Sequence, residues 1–387
     1  MDHIPYGRQS IIEEDIQSVI EVLQSDWLTQ GPRISQFEKE IARYCHATEA
    51  IAVTNATAAL HLACLALNVG SKDIVWTTPN TFLASANCAR FCGADVDFVD
   101  ICPNTYNMSA DALKEKLKIA KKNNTLPKVV IPVHFAGQSC DMRAIKELST
   151  EYNFKIIEDA SHAIGGRYID MPVGSCQYSD ITVFSFHPVK IMTTGEGGAA
   201  LTNDAALANK IRLLRSHGMT RDESCMLNPS DGAWYYEQIT LGYNYRITDL
   251  QCALGLNQLN RIDEFVKKRH ELVAVYQKEL AQLPLILPYQ HPETYSAFHL
   301  YVIQVDNKKT TKTRKALFDY LRNANIGVNV HYIPVHLQPY YQRLGFKEGD
   351  FSVAESYYQQ AITLPLYYNL SAEQQDHVIA SVKKGLA

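Results

Sequence analysis

The sequence predicts an α/β protein with a mostly parallel central sheet, followed by a smaller α+β domain. Short strand-like and helix-like segments alternate between residues 51 and 159, and such alternation is typical of parallel sheets with helices on both faces. The pattern changes after about residue 180, and Pro284, Pro288 and Pro292 interrupt the chain. A length of 387 residues suits one large domain and one smaller one.

The predicted elements follow one another in a regular order. Strands are predicted at 51–55, 73–78, 95–99, 128–133 and 154–159, with helices at 57–67, 81–91, 110–120 and 142–152. Strands at 180–186 and 197–202 flank a glycine-rich turn, and one long helix is predicted from Thr248 to Leu280. Then come a strand at 298–305, a helix at 314–324, a strand or loop at 329–336 and a C-terminal helix. We therefore expect a large domain, 1–285, and a small one, 286–387.

Composition excludes several classes of protein. Apolar residues make up 46% and the net charge is −4, which gives no reason to expect a nucleic-acid or membrane partner. The N-terminus lacks the pattern of a signal peptide, and no run of apolar residues is long enough to span a bilayer. Of nine scattered cysteines only Cys88 and Cys92 lie close together, too few ligands for a metal clip. We expect reduced thiols, no metal and a cytoplasmic protein.

The segment FSFHPVKIMTTGEGGAA (184–200) contains the main catalytic candidate. Lys190 lies between an apolar strand and a glycine-rich turn. Burial there would lower its pKa and make the amine nucleophilic, although an arbitrary loop lysine is usually just solvated. GEGGAA also fits G-x-G-x-x-A, the dinucleotide fingerprint. We reject that reading because a strand, not a helix, is predicted to follow.

Two residues of IIEDASHAIGGRY (156–168) are predicted to lie in the ligand crevice. Asp159 ends an apolar strand, and in parallel sheets ligands bind at the carboxyl ends of the strands. A carboxylate there could hold a protonated pyridine nitrogen, or it could simply cap the following helix. His162 could contact a cofactor, but a lone histidine is more often structural.

Two further segments each place one candidate at the start of a helix. In IAVTNATAALHLA (51–63), Thr57 lies at a helix N-terminus, which offers free N–H groups to a phosphate; an ordinary helix cap is the alternative. In TPNTFLASANC (78–88), Phe82 could stack on a planar ring, or could belong to the core.

Together these segments resemble the DegT/DnrJ/EryC1/StrS family of sugar aminotransferases. The resemblance covers essentially the whole chain, in LTQGP (28–32), TNATAALHLA (54–63), TFLASAN (81–87), IIEDASHAIG (156–165), SFHPVKIMTTGEGG (185–198) and LGYNYRITDLQCALG (241–255). It implies the fold of aspartate aminotransferase, fold type I of the enzymes that use pyridoxal 5′-phosphate (PLP).

The resemblance also implies roles for individual residues. Lys190 would attach PLP and, once freed, move a proton during transamination. Asp159 would hold the ring nitrogen, His162 would lie near the ring hydroxyl, and Phe82 would stack on the ring. Relatives with histidine in place of the lysine are dehydratases, so Lys190 favours the aminotransferases.

The phosphate would be bound by the amides of Ala56 and Thr57 and by the Ser185 hydroxyl. Asn244 would reach it from the other subunit, which implies a homodimer. The family usually has glycine where this chain has Ala56, and alanine would be strained there only if the turn needed a left-handed conformation.

Within the family, five segments resemble the branch of pseudaminic acid biosynthesis: IPYGRQSI (4–11), DWLTQGP (26–32), IPVHFAGQ (131–138), FHPVKIMTTGEGG (186–198) and HYIPVHLQPYY (331–341). That implies a UDP-4-keto-6-deoxy amino sugar as acceptor and L-glutamate as donor. The sugar nucleotide would be touched by Tyr6, Asp26, Trp27, Leu28, Thr29, Asn329, Val330, His331 and Tyr332. His331, neutral or cationic, could face a diphosphate, or could be a structural histidine between domains.

Three alternatives remain at this point. Aminotransferases for D-configured UDP-4-keto sugars or for dTDP-3-keto sugars share all the cofactor motifs. A PLP-binding regulator would need a DNA-binding module, and here the fold is predicted to start within the first dozen residues. An NAD-dependent sugar dehydratase would need a glycine-rich fingerprint after the first strand, and TNATAA lacks it.

Overall fold

The computed structural model describes residues 2–387. Its α-helices, numbered in chain order, are α1 (Glu13–Leu23), α2 (Pro32–Cys45), α3 (Ala56–Ala66), α4 (Ala84–Phe91), α5 (Ala110–Asn123), α6 (Met142–Tyr152), α7 (Ala205–Arg215), α8 (Asp249–Asn260), α9 (Ile262–Leu280), α10 (Arg314–Asn323), α11 (Pro339–Gln342), α12 (Ser352–Gln360) and α13 (Ala372–Leu386). Short 3₁₀ helices lie at Phe135–Gly137, Glu223–Cys225 and Val335–Leu337.

The strands are numbered in the same way. They are β1 (Glu49–Val53), β2 (Ile74–Thr77), β3 (Asp95–Phe98), β4 (Val129–Val130), β5 (Lys155–Asp159), β6 (Arg167–Tyr168), β7 (Met171–Pro172), β8 (Ile181–Ser185), β9 (Gly198–Thr202), β10 (Met219–Thr220), β11 (Glu237–Gln238), β12 (Leu285–Ile286), β13 (Thr294–Tyr295), β14 (Tyr301–Val305) and β15 (Ala361–Leu364).

The central sheet has seven strands in the order β1-β9-β8-β5-β4-β2-β3. From β8 to β3 all neighbours are parallel, and β9 is antiparallel to both β1 and β8. The predicted mostly parallel sheet is therefore confirmed. Because Asp159 pairs with Val183, the carboxyl ends of β5 and β8 lie side by side, which is where such sheets bind ligands.

The sheet is buried on both faces, because its side chains alternate between two apolar clusters. Val183 packs with Leu60 of α3 in one cluster, whereas the next residue, Phe184, packs with Phe37 of α2 in another. The two-residue period of a strand sends neighbouring side chains to opposite faces. Every residue of β8 is buried, as expected for a strand covered by helices on both sides.

The C-terminal part contains a separate antiparallel sheet, β12-β14-β15. Ile303 of β14 packs there with Leu317 of α10 in a further core. Ile4 and Tyr276, from outside 286–387, belong to the same core. The domain boundary near residue 285 stays a prediction.

One predicted element was wrong. The helix predicted from Thr248 to Leu280 is two helices, α8 and α9, because Arg261 between them has a non-helical conformation (φ −107°, ψ 3°). Residues 329–334 form a loop with a backbone bridge from Asn329 to Thr363, and residues 335 and 336 begin the 3₁₀ helix Val335–Leu337. Strand β15, the partner of β14, was not predicted.

Candidate active site

A cavity of about 590 Å³ opens at the carboxyl ends of β5 and β8, beside the N-terminus of α3. Most of the predicted site residues line it. These are Tyr6, Ala56, Thr57, Phe82, Asp159, His162, Ser185, Lys190, Asn329, Val330, His331 and Tyr332. Segments that are far apart in sequence thus meet at the edge of the sheet where the topology predicts a ligand.

Lys190 lies on the turn that leads from β8 into β9. Its backbone N–H donates to the carbonyl of His187 at 2.9 Å, which fixes the turn. Burial lowers the pKa of Lys190 to about 8, and the nearby Asp159 carboxylate opposes part of that shift. Roughly a tenth of the amine is therefore neutral, and nucleophilic, at pH 7.

Asp159 ends β5 and is buried. Ser85 donates to its Oδ2 at 2.5 Å, and Ser161 donates to Oδ1 through its hydroxyl at 2.6 Å and its N–H at 3.1 Å. Thr81 lies 2.8 Å from the Ser85 hydroxyl and extends this chain. No α-helix follows Asp159, so it is not a helix cap. These donors stabilise a carboxylate on a residue that lines the cavity.

The N-terminus of α3 forms one end of the cavity. Asn55 caps it by accepting from the N–H of Ala58 at 2.9 Å, which leaves the N–H groups of Ala56 and Thr57 free of that cap. Ala56 has a helical conformation, so alanine is unstrained in place of glycine. A Cβ on Gly198 would lie 2.6 Å from the Ala56 nitrogen, so only glycine lets β9 pass this closely.

His162 and Tyr332 form a hydrogen-bonded pair on the cavity wall. The N–H of Ala136 donates to His162 Nδ1 at 3.3 Å, and Nε2 lies 3.0 Å from the Tyr332 hydroxyl. Burial lowers the pKa of His162 well below its ordinary value, and raises that of Tyr332 above its own. The neutral imidazole therefore carries its proton on Nε2 and donates to Tyr332, whose own proton can point into the cavity.

Phe82 and His331 also line the cavity. Phe82 is 59% exposed and faces Tyr332 at a ring distance of 6.4 Å, so it is not a core residue. His331 bonds Thr363 at 2.8 Å and packs against Tyr6 at 5.4 Å. Burial lowers the pKa of His331 to about 3. Of the two charge states considered from the sequence, only the neutral one is present near pH 7.

Five predicted residues lie outside the cavity. Asp26, Trp27, Leu28, Thr29 and Asn244 are exposed and are absent from its lining. Leu28 and Thr29 lie against the start of α8, because Thr29 bridges to Thr248 and the Asp249 N–H donates to the Leu28 carbonyl, and Asn244 precedes that helix by five residues. We call this exposed region, residues 26–29 with Asn244, the outer patch.

Sequence reasoning missed several residues of the site. Ser85 and Ser161, which hold Asp159, both stand in segments that the sequence singled out, but hydroxyls gave no distinct signal. His299 also lines the cavity. It lies two residues before β14, and the sequence placed it in the predicted strand 298–305. The rejected fingerprint GEGGAA indeed leads into strand β9 and not into a helix.

The residues that line the cavity fit the chemistry of PLP. An aldehyde, a ring nitrogen and a phosphate need an amine, a carboxylate and N–H donors, which Lys190, Asp159 and the start of α3 provide. Gly198 lets β9 lie directly against the start of α3 at that end of the cavity. Among residues 2–387 no cluster of three or more possible metal ligands is present. None of the helices described combines the length and apolarity needed to cross a membrane.

Comparison with known proteins gives consistent matches over nearly the full length. A model of the DegT/DnrJ/EryC1/StrS aminotransferase family matches residues 9–383. The spore coat polysaccharide biosynthesis protein SpsC of Bacillus subtilis is 44% identical, over 98% of this chain and 96% of its own. The UDP-4-amino-4,6-dideoxy-N-acetyl-β-L-altrosamine transaminase of Campylobacter jejuni is 36% identical, over 99% of both chains.

Solved structures agree with this. Helicobacter pylori PseC, an aminotransferase involved in the biosynthesis of pseudoaminic acid, superposes with a TM-score of 0.90 at 30% identity, covering 100% of this chain and 99% of that one. The putative sugar aminotransferase Spr1654 of Streptococcus pneumoniae in its PMP-form gives 0.89 at 30% identity, covering 99% and 98%. The fold is thus that of these aminotransferases.

Proposed function

The chain belongs to the DegT/DnrJ/EryC1/StrS aminotransferase family and is a sugar aminotransferase, and we propose that it acts in pseudaminic acid biosynthesis with PLP as cofactor. The donor would be L-glutamate and the acceptor UDP-2-acetamido-2,6-dideoxy-β-L-arabino-hexos-4-ulose. Amination at C4 would give UDP-4-amino-4,6-dideoxy-N-acetyl-β-L-altrosamine.

The observation that carries the proposal is the meeting of Lys190, Asp159 and the start of α3 in one cavity. PLP, when bound, supplies a carbonyl that accepts the amino group and a ring that withdraws electrons. Lys190 would attach it, because its lowered pKa leaves a reactive amine. Asp159 would keep the ring nitrogen protonated, since two hydroxyls and an N–H stabilise its charge.

The remaining cavity residues would orient the cofactor and manage protons. The N–H groups of Ala56 and Thr57 and the Ser185 hydroxyl would hold the phosphate. Phe82 would cover one ring face. His162, through Tyr332, would direct a hydroxyl proton towards the ring side of the cavity. Lys190, once released, would be the base and acid that carries the proton between the nitrogen-bearing carbon of the substrate and the carbonyl carbon of the cofactor, since a pKa of about 8 suits both roles near neutral pH.

The sugar nucleotide would bind at the mouth, against Tyr6 and Asn329 to Tyr332. The outer patch is exposed and does not line the cavity of its own chain. We therefore propose that it completes the cavity of a second copy in a homodimer. In that arrangement Asn244 reaches the cofactor phosphate of the partner, and residues 26–29 reach its sugar nucleotide.

Two named relatives support the choice of sugar. The Campylobacter jejuni enzyme carries the name of this product, and Helicobacter pylori PseC is described as acting in pseudoaminic acid biosynthesis. SpsC, at 44% identity, is instead named for spore coat polysaccharide. That identity favours a second candidate, amination of another nucleotide keto-sugar, such as a D-configured UDP-4-keto or a dTDP-3-keto sugar.

The test is a turnover assay of the purified, PLP-loaded protein with L-glutamate. The L-arabino and D-xylo forms of the UDP-4-keto-6-deoxy sugar are supplied separately, and NMR identifies the product. Amination of the L-arabino sugar at C4 is the expected result. Amination of the D-xylo sugar alone would favour the second candidate, and amination of neither would contradict both.

A further inference from the structure

One buried histidine in the described part of the chain differs from all the others. Six histidines are at least nine-tenths buried, and five of them bond a neighbour through the ring: His61, His134, His162, His331 and His336. The sixth, His299, is 4% exposed; its Nδ1 is buried without a hydrogen-bond partner, and its Nε2 forms no hydrogen bond within residues 2–387. Buried polar groups normally have a partner, so an unpaired imidazole on a cavity wall suggests that a bound molecule provides one.

The neighbouring groups that lower the pKa of His299 are all basic. The His162 ring lies 4.4 Å away, and Lys190, Arg269 and His331 also disfavour protonation of His299. Arg269 is buried behind it and donates through Nη1 to the carbonyls of Phe298, His299 and Leu366 at 2.9–3.2 Å.

The Arg269 charge is left without a counter-ion in this chain. Burial lowers the pKa of Arg269 only to about 10, so the guanidinium stays cationic at neutral pH. No carboxylate within the described residues forms an ion pair with it. The wall around His299 therefore carries uncompensated positive charge that an anion would balance.

The position of His299 narrows the choice of anion. Two other anions already have proposed binding sites elsewhere in the cavity. The cofactor phosphate would bind at the start of α3, and the sugar nucleotide would bind at the mouth. A transaminase also binds an amino acid, which carries a carboxylate close to the reacting amine. Resting on the proposed function, we propose that His299 is a substrate-binding residue that donates a hydrogen bond to a carboxylate of the amino-acid donor.

A neutral donor suits a site that two substrates use in turn. The amino acid leaves before the keto-sugar enters, and the sugar brings no carboxylate to this wall. A buried cation would then be left unpaired, whereas a neutral imidazole loses only one hydrogen bond. Burial, the first cause, and the basic neighbours lower the pKa of His299 well below its ordinary value and keep it in this form.

The experiment compares His299→Phe and His299→Asn with the native protein, all loaded with PLP. L-Glutamate is titrated without any sugar and followed by the cofactor absorbance, and glutarate binding is measured separately by calorimetry. His270→Phe is the control, because His270 packs on Phe298 of the same segment at 4.6 Å but does not line the cavity. We expect His299→Phe to bind both ligands roughly ten- to a hundredfold more weakly, His299→Asn less so, and the control normally.

Affinity for PLP, measured on the apo protein, should stay within about threefold of native in both variants. A folded His299→Phe that binds glutarate and glutamate like the native protein would overturn the inference. So would an equal loss of PLP affinity, because the contact would then be with the cofactor. If His299→Phe does not fold, the test rests on His299→Asn. A His299→Asn variant with native glutarate affinity and native turnover would contradict a carboxylate contact. A native protein that reacts with no amino acid would contradict the proposed function itself, and the inference with it.

Discussion

The two ends of the cavity are built in different ways. At the cofactor end, Asp159, Ser185 and Lys190 follow the ends of two adjacent strands, and α3 begins beside them. At the sugar end, Tyr6 comes from the N-terminal segment and residues 329–332 from a loop of the C-terminal part. Sheet topology alone positions the first group, whereas the second depends on how distant segments pack.

The two ends also differ in charge. The cofactor end contains an amine and a carboxylate, Lys190 and Asp159. The residues assigned to the sugar end, Tyr6 and Asn329 to Tyr332, are neutral, because burial keeps His331 uncharged and Tyr332 protonated. Lys190 is the one lysine or arginine that lines this chain's cavity among the described residues. A diphosphate at the mouth would therefore obtain hydrogen bonds from this chain but would need positive charge from a second copy.

The largest expected effect is at the cofactor end. Lys190→Ala should lower turnover by on the order of 10³-fold or more, because it removes both the attachment point and the group that moves the proton. The absorbance near ~420 nm of the loaded protein should disappear as well. Turnover and absorbance spectra of the purified variant measure both effects.

An exposed lysine gives the matched control. Lys315 lies on the surface and pairs only with Asp319, so Lys315→Ala should behave like the native protein. Near-native turnover in Lys190→Ala would rule out the proposed role and leave the cofactor end without its nucleophile.

A second prediction concerns the pH dependence of cofactor attachment. The neutral Lys190 amine is the reactive form, so the rate of PLP attachment to apo protein should rise about tenfold per pH unit below pH 8 and level off above it. The pKa is lowered on folding, so between about 8 and 10.5 the unfolded chain binds more protons, and this group makes the apo protein more stable as pH rises.

Asp159→Asn provides the internal comparison, because the carboxylate raises the pKa of Lys190. The midpoint of the rate profile should move to lower pH in that variant. Stopped-flow absorbance over a series of buffers measures it. A midpoint near 10.5 in the native protein would mean that the amine is solvated and not desolvated by the cavity.

The same contrast explains what the sequence could predict. Lys190 and Asp159 were predicted because strand ends and glycine-rich turns have recognisable local sequence patterns. In a parallel sheet the carboxyl ends of adjacent strands lie together, so residues at those ends are expected to be neighbours. The five residues of the outer patch were named from resemblance alone, and one folded chain does not bring them to the cavity. The break at Arg261 was missed because α8 and α9 are both good helices and one residue separates them. His299 was missed because only its surroundings, not its segment, distinguish it.

A third prediction tests whether the outer patch acts across subunits. Asn244→Ala should weaken PLP binding by about tenfold, the effect of losing one hydrogen bond to a charged group, without breaking the dimer. In a heterodimer of Asn244→Ala with Lys190→Ala, one cavity then has both changes and the other has neither. Half of the sites should therefore bind PLP with native affinity. If the mixed dimer has no site with native PLP affinity, Asn244 acts on the cavity of its own subunit.

The smallest effects are expected from two variants that each remove one hydroxyl group. These variants should show whether the cofactor end and the sugar end act independently. Ser85→Ala removes one of the donors to Asp159, so PLP affinity should fall by roughly fivefold while the KM for the sugar nucleotide stays constant. Tyr6→Phe removes a hydroxyl at the mouth, so the KM should rise by a similar factor and PLP affinity should not change. If either variant alters both quantities equally, the two ends are coupled, and the hydrogen-bonded pair of His162 and Tyr332 that lies between them is the connection to examine.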